Sequence, residues 1–87
     1  MTVIYNNEIQ DSKKEIEIKV SGETLTAVVT DKKGNIEIFT ELTEVHYLFP
    51  NVFETEACAF ESDIQGNGRT RDLKHLSSIV IFNGKWI

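Results

Sequence analysis

The hydrophobic pattern of the chain is clearest in residues 15–20 (EIEIKV), where charged and apolar positions alternate strictly. A period of two places alternate side chains on one face of a half-buried β-strand, and here that face carries Ile16, Ile18 and Val20. Residues 24–30 (TLTAVVT) are rich in β-branched side chains and predict a second strand, because such side chains pack well on a pleated sheet.

A hairpin loop and a third strand are predicted next. The segment DKKGN contains Gly34, which readily adopts the positive φ that such loops need. Residues 36–39 (IEIF) then alternate, which indicates that Ile36 and Ile38 face the core. With the two preceding strands, this predicts a three-stranded meander over residues 15–39.

Strands are also predicted at both ends of the chain. Residues 3–5 (VIY) predict a short N-terminal strand. A C-terminal hairpin is predicted over residues 78–87, because the run SIVIF is typical of a buried central strand and Asn83-Gly84 is a strong turn signal. The last three residues (KWI) would return as its second strand.

Two interpretations fit residues 41–49. Apolar residues at positions 42, 45, 48 and 49 follow helical spacing, and Pro50 would end a helix there, so we predict one short helix near residues 41–49. The alternation of Val45, Tyr47 and Phe49 would equally suit a strand.

Residues 52–62 are also open between helix and strand. Asn51 followed by Glu54 fits a capping box, whereas the later turn signal GNG favours a strand that leads into a hairpin. We favour a strand from about residue 55 to residue 62, with residues 69–71 returning beside it.

These elements predict an α+β fold that is mainly antiparallel β. It would contain six or seven short strands and one short helix, and it could close into a small barrel. A chain of 87 residues is expected to form a single domain, residues 1–87, with a thin core.

The number of cysteines and the length of the apolar runs indicate the cellular compartment. Cys58 is the only cysteine, so no internal disulfide can form, and small secreted domains usually contain several. The N-terminus lacks a basic segment followed by an apolar run, and the longest apolar run, residues 79–82, is far shorter than a membrane span. We therefore expect a cytoplasmic protein without membrane association.

Residues with reactive or metal-binding side chains are few. His46, His75 and Cys58 have no close ligand pair of the kind that zinc sites use, so we expect no metal and no cofactor. Asp72, His75, Ser77 and Ser78 are the residue types of a hydrolytic triad, but triads converge from distant segments. Cys58, flanked by two alanines, indicates a small buried side chain. We therefore do not expect an enzyme.

Charge is distributed unevenly along the chain, whose net charge is −5. Residues 41–63 contain six acidic residues and no basic one. We therefore favour a non-enzymatic interaction module, of the inhibitor, immunity or nucleic-acid-mimicking kind, that masks a basic surface of a protein target. An acidic chain does not favour direct binding to nucleic acid. The predicted contacts are four glutamates, Glu41, Glu44, Glu54 and Glu56, with Tyr47 and Phe49 as aromatic anchors.

Two alternatives from other functional classes remain open. The loop with Gly66, Gly68, Arg69 and Arg71 could bind an anion or nucleotide, because glycines expose backbone N–H groups and arginines bind phosphate bidentately. The chain could also be an assembly subunit that pairs with a neighbour through a terminal edge strand.

Overall fold

The computed structural model describes residues 2–6, 16–19, 23–48, 56–62 and 67–84. Within these ranges the chain forms eight β-strands and one short 3-10 helix, Leu73–His75. The strands are β1 (Thr2–Asn6), β2 (Glu17–Lys19), β3 (Leu25–Asp31), β4 (Ile36–Leu42), β5 (Glu44–Leu48), β6 (Ala57–Ser62), β7 (Asn67–Asp72) and β8 (Leu76–Asn83).

The strands form two antiparallel sheets of four strands each. Sheet A has the order β1-β8-β3-β4, and sheet B has the order β2-β5-β6-β7. The described residues thus confirm a mainly antiparallel β fold, but as two open sheets and not as a closed barrel. Among the described residues, no helix has the length and apolar character needed to cross a membrane.

Both sheets contribute to one apolar core. Alternate residues of each strand face inward, as the period of two requires. Sheet A contributes Tyr5, Leu25, Ala27, Val29, Phe39, Leu42, Leu76, Ile79 and Ile81, and sheet B contributes Ile18, Val45, Cys58 and Phe60. The rings of Phe39 and Phe60 stack with centroids 4.7 Å apart, so one aromatic pair joins the two sheets.

The predicted helix near residues 41–49 is wrong for the part that is described. Residues 36–42 and 44–48 are strands, and β5 lies between β2 and β6, which satisfy its backbone groups on both sides. Alternation therefore prevails over helical spacing: Val45 is buried, whereas Leu48 on the supposed helical stripe is 38% exposed. Residue 49 lies outside the described part of the chain.

The predicted three-stranded meander is also only partly correct. The hairpin of β3 and β4 forms, and Gly34 in its loop has a φ of 91°. The first strand, however, joins sheet B, where Ile18 pairs with Val45 of β5. The second neighbour of β3 is β8, which offers a longer ladder than the three residues of β2. The strand next to β3 is therefore the one that forms more residue pairs with it, although β2 is closer in the sequence.

The side chains of β4 that face the core are not the predicted ones. Ile36 and Ile38 point outward, with 63% and 41% of their surface exposed, and Phe39 points inward. A strand can bury only one of its two alternating sets. The stacking of Phe39 on Phe60 gives the inward position to the larger ring.

A β-bulge bends the end of β4 toward sheet B. Leu25 pairs with Leu42 and Ala27 with Phe39, so two residues of β4 oppose the single residue between them on β3. Glu41, the second of these two residues, has a φ of 57°, in the left-handed region. The Ser62 hydroxyl donates a 2.8 Å hydrogen bond to the Glu41 carbonyl oxygen, which ties the bulge to β6.

Other predicted strands are confirmed. The N-terminal strand forms as β1, at one edge of sheet A, and the apolar run before Asn83 forms β8, in the sheet interior. Residues 57–62 and 67–72 form β6 and β7, the hairpin favoured for this region. Gly84 has a φ of 100°, as a turn requires, but residues 85–87 lie outside the described residues.

Candidate interaction face

The outer face of sheet B carries most of the ionisable side chains of that sheet. Because Ile18, Val45 and Phe60 face the core, the alternate residues of the same strands face outward. We call this surface the acidic face, and its ionisable residues are Glu17, Lys19, Glu44, His46, Glu61 and Asp72. Four carboxylates and one lysine therefore occupy the described part of this face.

Two glutamates lie directly opposite each other on this face. Glu44 of β5 pairs with Glu61 of β6 in the antiparallel register. Side chains in such a pair have Cβ atoms about 4.5–5.5 Å apart, and like charges at that distance destabilise the sheet. The side chain of Glu44 is 30% exposed and that of Glu61 is 46% exposed, so both reach the surface.

His46 lies between these carboxylates. Its Nδ1 is 3.0 Å from Glu44 Oε1, and its Nε2 is 3.9 Å from Glu61 Oε1. One ligand atom from each residue lies within 4.8 Å of the others, an arrangement that attracts positive charge. The same arrangement suits a cationic side chain that approaches the partly exposed carboxylates from solvent.

A shallow concavity of about 230 Å³ lies on the same face, between β2 and β5. Its lining includes Glu17, Lys19, Glu44 and His46. This volume is below the roughly 300–1,000 Å³ of typical small-molecule pockets. It suits one long side chain, such as an arginine, with its charge beside the carboxylates.

The predicted contact residues are separated in the structure. Glu44 lies on the acidic face, but Glu41 is at the bulge and is half-buried. Glu56 precedes β6, and its carboxylate accepts a 2.8 Å hydrogen bond from the Tyr47 hydroxyl. Burial and this bond raise the pKa of Tyr47 to about 12. Tyr47, predicted as an aromatic anchor, is partly buried and packs against the core.

Two predicted contacts, Glu54 and Phe49, lie outside the described residues. Sequence reasoning also missed Glu17 and Glu61 as members of the acidic face. Glu61 belongs to the base-free segment, so its charge was visible, but its position opposite Glu44 depends on the pairing of β5 with β6. Glu17 belongs to a segment 27 residues before Glu44 and reaches the face only because β2 joins sheet B.

The predicted anion-binding residues also differ in their surroundings. Arg71 is engaged by Glu37 of sheet A through two hydrogen bonds of 3.0 and 2.8 Å. These bonds hold the pKa of the Glu37 carboxyl below its usual value and raise the pKa of Arg71. Gly66 lies outside the described residues, and Gly68 is exposed on β7. Arg71 thus links the two sheets and is not free to bind phosphate bidentately.

Arg69 is the member of this group that remains available. Its guanidinium lies 5.8 Å from the centroid of the Phe39 ring, and it makes no ion pair with the described residues. It borders a cavity of about 150 Å³ between β4 and β7, lined also by Thr40, Phe60 and Ser62. This cavity would hold only a small ligand.

The other reactive side chains are not assembled into a catalytic site within the described residues. Cys58 is fully buried, and burial raises the pKa of its thiol to about 12, so the thiolate is disfavoured. The Ser77 hydroxyl lies 3.3 Å from the carbonyl oxygens of Thr30 and Asp31, and no described hydrogen bond joins it to His75 or Asp72.

Comparison with known proteins adds no relative: no protein-family model, no curated protein and no solved structure matches this chain.

Proposed function

We propose that this protein is a non-enzymatic interaction module whose acidic face binds a basic surface of a protein partner. The observation that carries the proposal is the direct pairing of Glu44 with Glu61, with His46 between them. Like charges directly opposite each other disfavour a sheet, and a cation that occupies the face would offset this cost. An inhibitor or immunity-type role, in which the module covers a basic active surface, would use the same chemistry.

The concavity beside Glu44 indicates how the partner would be recognised. One arginine or lysine side chain would enter between Glu17 and Glu44, and neighbouring bases would pair with Glu61 and Asp72. Rim charges mainly accelerate association, and the inserted side chain mainly slows dissociation. Binding should therefore weaken as salt rises, because exposed charge pairs are screened over about 10 Å at 0.1 M ionic strength.

Charge reversal at one position tests the proposal. Glu44→Lys places a base inside the acidic face, whereas Glu23→Lys makes the same change in net charge at an exposed position that precedes β3. An oligo-arginine peptide serves as the probe, with binding followed by amide shifts in a ¹H–¹⁵N NMR titration. We expect shifts to concentrate on β2, β5 and β6, and Glu44→Lys to weaken binding at least fivefold more than Glu23→Lys.

The native partner is then sought by pull-down with the wild type and both variants side by side. A partner retained by the wild type and by Glu23→Lys, but lost with Glu44→Lys, supports the proposal. Equal effects of the two substitutions would mean that only net charge matters. Shifts that map to sheet A instead of sheet B would contradict the proposed site.

A second candidate function is the binding of a small anion at Arg69. The guanidinium, which makes no ion pair within the described part of the chain, borders the 150 Å³ cavity and favours it, with the exposed Thr40 as a further hydrogen-bond donor. Titration with inorganic phosphate should shift the amides of residues 69 and 40 in the wild type and not in Arg69→Gln. Lys74→Gln, which removes an exposed base elsewhere, is the matched control. An unchanged spectrum at millimolar phosphate would exclude this candidate.

A further inference from the structure

The contact between His46 and Glu44 determines which imidazole nitrogen carries a proton. Nδ1 of His46 lies 3.0 Å from Oε1 of Glu44, which is hydrogen-bond distance. An ionised carboxylate can only accept a hydrogen bond, so Nδ1 is the donor. In the neutral imidazole, Nε2 then keeps its lone pair and is an acceptor.

The group that faces Nε2 is a second acceptor. Nε2 of His46 lies 3.9 Å from Oε1 of Glu61 on the neighbouring strand β6. This separation is too long for a hydrogen bond, and two acceptors attract each other only through a proton or a cation between them. Zn²⁺ bonds to nitrogen and to carboxylate oxygen at about 2.0–2.2 Å, so two of its tetrahedral ligands stand roughly 3.4 Å apart. A small movement of either side chain therefore brings both atoms to metal-binding distance.

The surroundings of this pair favour a cation and leave room for it. The ligand atoms of Glu44, His46 and Glu61 all lie within 4.8 Å of one another, so two carboxylates attract a cation to the same point. The outer-face neighbours are small, with Ala59 opposite His46 and Gly68 opposite Glu61. A Cβ atom at position 68 would lie 3.5 Å from Cγ of Glu61, so the glycine keeps this side of the glutamate open. Both side chains of the pair are partly exposed, which admits an ion and its water.

We propose that His46 and Glu61 bind a divalent transition-metal ion of the Zn²⁺ type. Nε2 of His46 and the carboxylate of Glu61 are the direct ligands, and water completes the coordination shell. Glu44 is a positioning residue that holds the imidazole through its Nδ1–H, as the carboxylate partners of metal-bound histidines usually do. An imidazole ligand suits Zn²⁺, Cu²⁺ or Ni²⁺, whereas Ca²⁺ and Mg²⁺ prefer oxygen ligands. Metal binding requires no protein partner and so goes beyond the proposed function.

The number of ligands sets the expected affinity. Closed zinc sites use four protein ligands, often with a close pair in the sequence, whereas this site takes one ligand from β5 and one from β6. We therefore expect weak binding, with a Kd for Zn²⁺ of about 0.1 mM near neutral pH.

A Zn²⁺ titration followed by NMR of the imidazole rings tests the proposal. The chain contains two histidines, so the exposed His75 is an internal control. The ring resonances of His46 should shift with a Kd of about 0.1 mM, and those of His75 should require at least tenfold more Zn²⁺. Before metal is added, the ¹⁵N shifts of His46 should show the proton on Nδ1. Glu44→Ala should lose this signature and raise the Kd about tenfold.

A matched pair of variants tests the carboxylate ligand. Glu61→Gln keeps the shape of the side chain, removes its charge and should raise the Kd at least tenfold. Glu23→Gln makes the same change in charge at an exposed position that precedes β3 and should leave the Kd within twofold. Native amide spectra of both variants show that the fold is retained.

Four results would overturn the proposal. The first is a His46 ring that does not respond to about 1 mM Zn²⁺, and the second is an equal response of His46 and His75. The third is a Kd for Glu61→Gln that equals the Kd for Glu23→Gln. The fourth is a response of His46 to Ca²⁺ as strong as its response to Zn²⁺, which would indicate general attraction of cations without coordination by the imidazole.

Discussion

We expect the buried thiol of Cys58 to make this protein less stable at alkaline pH. Cys58 is 0% exposed on the inner face of β6, and burial raises the pKa of its thiol from 9.0 to about 12. Above pH 9.0 the unfolded chain loses a proton that the folded chain retains. The protonated Cys58 thiol therefore contributes its full stabilisation below the pKa that it has in the unfolded chain. This contribution is lost as pH rises through the pKa that the thiol has in the folded chain.

The magnitude follows from the size of this shift. Each pH unit between the two pKa values removes about 1.4 kcal/mol, so about 2 kcal/mol is lost by roughly pH 10.5. Cys58→Ala removes the titrating group and loses the buried sulfur, which costs about 1 kcal/mol at all pH values. The wild type should thus be more stable than Cys58→Ala by about 1 kcal/mol near pH 8 and less stable by about 1 kcal/mol near pH 10.5.

Urea unfolding at the two pH values, followed by far-ultraviolet circular dichroism, measures this crossover. Cys58→Ser is the matched control: its hydroxyl does not titrate in this range, so it should show the same dependence on pH as Cys58→Ala, from a different starting stability. Tyr47, whose pKa is raised to about 12, is present in all three chains and cancels in the comparison. A difference between wild type and Cys58→Ala that stays constant with pH would refute the reasoning.

Three further changes test the core, the bulge and the link between the sheets. Phe60→Leu should lower the free energy of unfolding by about 1–2 kcal/mol, while Ile36→Thr should change it by less than about 0.5 kcal/mol, as urea unfolding will show. The φ of Glu41 is 57°, a conformation that glycine adopts readily and a β-branched residue does not. Glu41→Gly should therefore match or exceed the wild type in stability, whereas Glu41→Val should lose at least about 1 kcal/mol. Equal stabilities of the two variants would contradict the bulge. Arg71→Gln should raise the pKa of Glu37 in a ¹³C NMR titration and change stability by less than about 1 kcal/mol, since the pair is partly exposed. Because the pKa of Glu37 is lowered, that contribution should vanish on acidification, and an unchanged pKa would refute the assignment.

The candidate site was predictable from the sequence only in part. The absence of bases from residues 41–63 was visible, and Glu44, one of the predicted contacts, lies on the acidic face. The sequence could not show that Glu41 and Glu56 lie apart from Glu44. Glu41 lies at the bulge of β4, and Glu56 accepts a hydrogen bond from Tyr47. The anion loop shows the same limit: Arg71 is held by Glu37, which is 34 residues away in the chain.

The sequence by itself determined the class of fold and the position of most strands. Alternation, β-branched runs and turn residues such as Gly34 are local signals, and each acts within a few residues. Only the tertiary structure decided which strands are neighbours, which face of β4 is buried, and that Glu44 meets Glu61. These features depend on contacts between distant segments, such as Phe39 with Phe60, and each pairing is favoured only relative to the competing ones.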